Sequence, residues 1–100
     1  MIEWARIVGF DWDSGNARKS ADKHSVSQAE AEQVFFNEPL LTLPDHLHSN
    51  TELRFHALGR TDDRRLLHVT FTLREAQTRL RIISARDMSR KERAHYGSDK

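Results

Sequence analysis

The chain has no cysteine, which removes disulfides, thiolate chemistry and cysteine-held zinc from the functions open to it. It also lacks any apolar run approaching the roughly 20 residues that span a bilayer, and its first residues show no basic-then-apolar leader pattern. No segment repeats and none is of low complexity. These absences lead us to expect a cytoplasmic chain with no membrane contact. His46 and His48, two apart, carry no carboxylate at the spacing of a zinc site, so no metal and no other cofactor is expected.

What the chain does carry is charge, unevenly placed. Its 100 residues, expected to form one domain, have a net charge of +1. Residues 1–53 hold four Lys/Arg (Arg6, Arg18, Lys19, Lys23) against nine Asp/Glu, and residues 54–100 hold twelve against six. Cations concentrate most at Thr78–Tyr96, where Arg79, Arg81, Arg86, Arg90, Lys91 and Arg93 face only Asp87 and Glu92. Such a stretch suits a polyanion. The same asymmetry could instead bind the two halves of the chain to each other.

Residue patterns give the element order. Ile7–Trp12 reads as a strand of β-branched and aromatic residues. Asp13 or Ser14 can cap a short polar helix running to about Lys23. Ser27-Gln28-Ala29-Glu30 has capping-box spacing, with Val26 placed to staple onto Ala31. The helix it opens, Gln28–Phe36, shows Ala31, Val34 and Phe35 on one side, and Pro39 should end it. Leu40–Leu43 reads as a short strand and Pro44–Thr51 as a loop. Leu53–Arg60, Arg65–Leu73 and Arg79–Ala85 read as three strands with links too short for a parallel crossover. Strict alternation in the last of these sets Leu80, Ile82 and Ser84 against Arg79, Arg81 and Ile83. Ser89-Arg90-Lys91-Glu92 is a second capping box, opening a helix that ends near Gly97. The expected fold is α+β: a mostly antiparallel sheet, made of an N-terminal strand and a C-terminal three-strand meander, with two N-terminal helices and one C-terminal helix.

A meander can gather basic side chains that are distant in sequence onto one sheet face. Arg54, Arg64 and Arg65 join the later series there, and Lys23 lies beside His24. Arginine forks suit phosphate, and fixed cations stabilise charge developing on phosphorus oxygens. Of the histidines, His56 and His68 fall on adjacent strands and can face each other, while His24 and His95 sit beside cations at element ends. Phe10 and Trp12 are read as core rather than as a base-stacking platform.

The series FDWD (Phe10–Asp13), KHSVS (Lys23–Ser27), VFFNEPLL (Val34–Leu41), LRFHALGRT (Leu53–Thr61), RLLHVTFTLR (Arg65–Arg74) and RIISARDMSRKERAHY (Arg81–Tyr96) resembles the BrnT family of type II toxins. Three positions depart from the family's usual pattern: Ser25 replaces a glycine, Ser20 an asparagine and Leu53 an acidic residue. The resemblance implies a RelE-like fold and a metal-independent endoribonuclease that cleaves RNA and inhibits translation. It implies catalytic positions at Lys23, His24, Arg54, Arg81, Arg86 and Tyr96, with RNA held by Arg90 and Arg93. Arg79 and Lys91 join those two as RNA contacts by their place in the basic stretch. The implied partner is a BrnA-type ribbon-helix-helix antitoxin, through which alone the toxin would reach DNA. The competing reading is a non-catalytic RNA-binding or antitoxin-binding module, a degenerate toxin.

Overall fold

In the computed structural model, which describes residues 2–47 and 52–98, the alternating segments form strands. These are β1 (Gly9–Phe10), β2 (Leu41–Pro44), β3 (Arg54–Arg60), β4 (Leu66–Arg74) and β5 (Arg79–Asp87). His48 and the rest of 48–51, part of the expected loop, lie outside the described residues. The helices are α1 (Lys19–His24), α2 (Gln28–Gln33) and α3 (Arg90–Ser98), with 3-10 turns at Trp4–Arg6 and Val34–Phe36. Among the described residues no helix is long and apolar enough to cross a membrane.

All five strands make one sheet in the order β1-β5-β4-β3-β2. The pairs from β2 through β5 are antiparallel, as short links require, but β1 lies parallel to β5. The sheet is therefore mixed, which corrects the expected mostly antiparallel arrangement. A two-residue strand carries no directional pattern of its own, and the long helical connection that follows it permits either orientation. The sheet also gains β2, hydrogen-bonded along β3 at its other edge.

Helix placement differs at both N-terminal helices. The first starts at Lys19, not after Asp13 or Ser14, because residues 13–17 form a turn closed by Ala17 N–H donating to Asp13 O at 2.8 Å. That turn delivers Asn16, 5% exposed, to the edge of β5. Its Nδ2 donates to Ile82 O at 2.7 Å and Asp11 O at 3.0 Å, and its Oδ1 accepts from Asp13 N. Ser20 Oγ then accepts from Ala85 N at 2.7 Å. Beyond the two residues of β1, side chains thus satisfy the ladder edge that a strand would otherwise have covered. The second helix keeps its capping box, Ser27 with Glu30, but tightens to 3-10 geometry from Val34. There it crosses Gly59, where an added Cβ would stand 2.6 Å from Val34 Cγ1. Only a glycine lets the turn lie so close to β3.

The core fills the side of the sheet facing α2: Leu67, Val69 and Phe71 alternate on β4, with Ala57, Leu80, Ile82 and Ala85 beside them and Val26, Ala31 and Val34 above. Phe10 and Trp12 pack against this core, as read from the sequence. One arginine ties the helical layer to the strands. Arg65 donates to both Asp87 oxygens (2.7 and 3.1 Å), Glu30 Oε2 (3.1 Å), Ser25 O (2.9 Å) and His24 O (3.3 Å), engaging all five of its N–H groups. Ser25 itself takes φ 56°, ψ 36° at the end of α1, a left-handed geometry that favours glycine.

Replacing Asn16 by Ala would strand the buried Ile82 carbonyl. We expect a loss of about 1–3 kcal/mol, read as a thermal midpoint lowered by roughly 5–15 °C.

Candidate functional site

The side of the sheet away from α2 carries polar residues at alternate positions, and the register stacks them in cross-strand rows. Arg54, Thr72 and Arg81 form one row, His56, Thr70 and Ser84 the next, and Leu58, His68 and Arg86 the third. A β-bulge makes this possible. Between Thr70↔Ser84 and Phe71↔Ile82 the register shifts, leaving Ile83 without an opposite residue. Strict alternation would have set Arg86 on the face opposite Arg81; the extra residue turns it back. Ser84 accordingly joins the arginine face, against the sequence reading.

Arg81 is 12% exposed and bound to Asp13 in two-point geometry (2.9 and 3.1 Å), with Asp11 at 3.5 Å. The bond from Arg81 holds the Asp13 carboxyl below its ordinary range, and Asp13 in turn raises the guanidinium. Arg86 is held the same way by Glu92, at 2.9 and 3.0 Å, and also donates to Asp87 O. Two of its five N–H groups remain, on Nε and Nη2, enough for one further two-point contact. The sequence marks Glu92 as a capping residue. It does cap α3 through Ser89, and the same carboxylate orients Arg86. Burial would raise the Glu92 carboxyl, but the Arg86 bond, the Ser89 amide and the neighbouring cationic charge outweigh it and bring it down to about 2.

His56 and His68 do face each other, with ring centres 4.8 Å apart. The buried Asp45 fixes His56 Nε2 at 2.9 Å, and Thr70 Oγ1 lies 3.2 Å from its Nδ1. His68 Nε2 is 3.9 Å from Glu92. Burial, then the charge of Arg86, pushes His68 below its ordinary value, so it is neutral at pH 7. Both rings line a cavity of about 730 Å³ with Leu41, Lys91, Glu92 and His95. Asp45 is the member that sequence reading missed, since it sits in a segment read only as loop. Among the described residues no three His, Asp or Glu side chains converge as metal ligands would.

The other expected residues scatter. Lys23 and His24 stand exposed at the end of α1, where His24, like Arg93 of α3, is near enough to act on the Asp87 carboxylate. Tyr96 is 2% exposed and donates its hydroxyl to Pro39 O at 2.6 Å, anchoring α3; burial pushes its phenol up. Arg79 lies at the far end of β5 against Glu75. Arg90 is exposed, Lys91 lines the histidine cavity, and Arg93 lines a different one. The structure therefore brings Arg54, Arg81 and Arg86 to one face and leaves Lys23, His24 and Tyr96 off it.

The family of ribonuclease toxins described as BrnT, of type II toxin–antitoxin systems, matches the chain over residues 12–92. Arg93 and Tyr96 fall beyond the matched span. No curated protein matches the chain.

The Arg86–Glu92–His68 cluster makes stability depend on pH. Glu92 titrates lower folded than unfolded, so its contribution is full above its ordinary value near 4.5 and is lost as pH falls toward 2. His68, also lowered, adds a loss that begins as pH falls through its ordinary 6.5. Thermal midpoints should therefore drop on acidification in two stages. In Glu92→Gln the acid stage should shrink by up to about 3 kcal/mol, and comparison with the unmutated protein separates it from Asp13, Glu30 and Asp87, which are lowered too.

Proposed function

The chain belongs to the BrnT family of ribonuclease toxins of type II toxin–antitoxin systems, and on that premise we propose a RelE-like, metal-independent endoribonuclease that cleaves RNA and inhibits translation. A type II toxin has an antitoxin as its partner; here we assign a BrnA-type ribbon-helix-helix protein, through which alone the toxin reaches DNA. The observation that carries the catalytic reading is the set guanidinium of Arg86, oriented by Glu92 with two donors remaining, one strand across from a neutral imidazole.

In the proposed reaction the substrate's 2′-hydroxyl attacks the adjacent phosphorus and gives its proton to a base. The bond from phosphorus to the 5′-oxygen breaks, and an acid protonates that leaving oxygen. The products are a 2′,3′-cyclic phosphate and a free 5′-hydroxyl. Arg86, with Arg54 and Arg81 on the same face, stabilises charge on the phosphoryl oxygens. We assign one proton transfer to His68, across the ladder from Arg86, and the other to His24, which stands off that face near Asp87 at the exit of β5. Lys23 stands beside His24, and Tyr96 supports α3 through Pro39. Lys91 holds RNA beside the histidine pair, and Arg79, Arg90 and Arg93 hold it further from the cleaved bond.

Arg86→Ala should lower RNA cleavage on the order of 100-fold or more and abolish growth inhibition, with antitoxin binding retained. Arg86→Lys, which keeps Glu92 paired, separates lost catalysis from lost folding. An Arg86→Ala protein that cleaves at the unmutated rate contradicts the assignment. Unmutated protein that binds RNA or antitoxin without cleaving favours the non-catalytic module.

A further inference from the structure

Most arginines on or next to the strands are already held by carboxylates. Arg65, Arg74, Arg79, Arg81 and Arg86 each form an ion pair. Arg60, Arg64 and Arg93 form none among the described residues, and all three line a single cavity of about 520 Å³.

The local structure explains the convergence. Arg60 ends β3, where its Nε donates to Glu38 O at 2.9 Å. Arg64 sits in the turn to β4 with φ 68°, closed by Arg64 N–H to Thr61 O and Thr61 N–H to Arg65 O. Arg93 comes from α3, whose seating on Pro39 through Tyr96 fixes its direction. Pro39, Leu66 and the Tyr96 ring make an apolar floor, and Glu38 is the acidic residue in the lining. The two cavities lie on different faces of α3: Lys91, Glu92 and His95 line the one holding the histidine pair, while Arg93, Tyr96 and Gly97 line this one. At 100° per residue these sets point apart, and a helix about 10 Å across separates them.

We propose that the Arg60–Arg64–Arg93 cleft is a phosphate-binding subsite for single-stranded RNA, holding a backbone phosphate beyond the one that is cleaved. This rests on the ribonuclease reading above. Guanidinium forks give paired charge-assisted bonds to phosphate oxygens, and the apolar floor suits the ribose and base face of the same nucleotide. An acidic protein segment is the competing occupant, and antitoxin binding in the test below distinguishes it. The subsite places affinity on one side of α3 and chemistry on the other, with the RNA strand crossing the helix.

The test is binding of the full chain to a single-stranded 2′-O-methyl oligonucleotide, which lacks the attacking hydroxyl, measured by fluorescence anisotropy at several salt concentrations. Arg64→Gln and Arg93→Gln should each flatten the slope of log affinity against log salt by about 0.7 and weaken binding alike for unrelated sequences. Arg64→Lys and Arg93→Lys should keep the slope, and Arg74→Gln, already paired with Glu52, should not change it. Thermal midpoints confirm that each variant is folded. Unchanged slopes in both Gln variants, with RNA still bound and cleaved by the unmutated protein, overturn the subsite and leave the ribonuclease reading standing. Unchanged slopes with antitoxin binding lost would assign the cleft to protein and overturn it too. Unmutated protein that neither binds nor cleaves RNA overturns both readings.

Discussion

Arg81 joins the two oppositely charged halves of the chain. It rises from the basic strand β5, and the carboxylates that hold it, Asp11 and Asp13, come from the acidic N-terminal half. The same crossing recurs where Arg65 meets Glu30, where Arg74 meets Glu52 and where His56 meets Asp45. The charge asymmetry of the sequence is thus first a folding device. Arg65 depends on it most fully, tying α1, the cap of α2 and the end of β5 in one guanidinium. Exposed pairs of this kind contribute little singly, but these lie partly covered, and Arg65 adds hydrogen bonds to the Ser25 and His24 carbonyls.

That internal pairing decides where cations remain for a ligand. The two arginines that looked most like phosphate clamps are oriented by carboxylates, which fixes their direction and leaves only part of each fork open. Arg86 keeps two donors beside His68, a geometry suited to acting on one phosphorus. Three arginines without carboxylate partners among the described residues, Arg60, Arg64 and Arg93, gather instead beyond α3. A strand of RNA lying across that helix would meet fixed, neutralised groups where bonds change and unneutralised ones where only the backbone is held. Orientation and affinity then come from different residues.

Much of this was legible in the sequence, for identifiable reasons. Both capping boxes, the alternation of β4, the core face of α2 and the facing of His56 and His68 follow from local spacing, and local spacing survived folding. What was not legible depended on distant partners. The parallel pairing of β1 could not be read from two residues. The bulge at Ile83, which moves Arg86 to the arginine face, leaves no mark in a run of alternating residues. Asp45 lay in a segment dense in turn formers, and Arg60 looked like nothing more than the end of a strand. Ser20 and Asn16 illustrate the same limit: their value lies in hydrogen bonds to β5, more than sixty residues away.

On the proposed function, this chain cleaves RNA with its own side chains. The most direct measurement is to incubate the purified protein with RNA in EDTA and determine the chemistry of the new ends. Cleavage should proceed in the chelator, with 2′,3′-cyclic phosphate on one fragment and a free 5′-hydroxyl on the other. RNA left intact in EDTA but cut once a divalent metal is added would contradict that function.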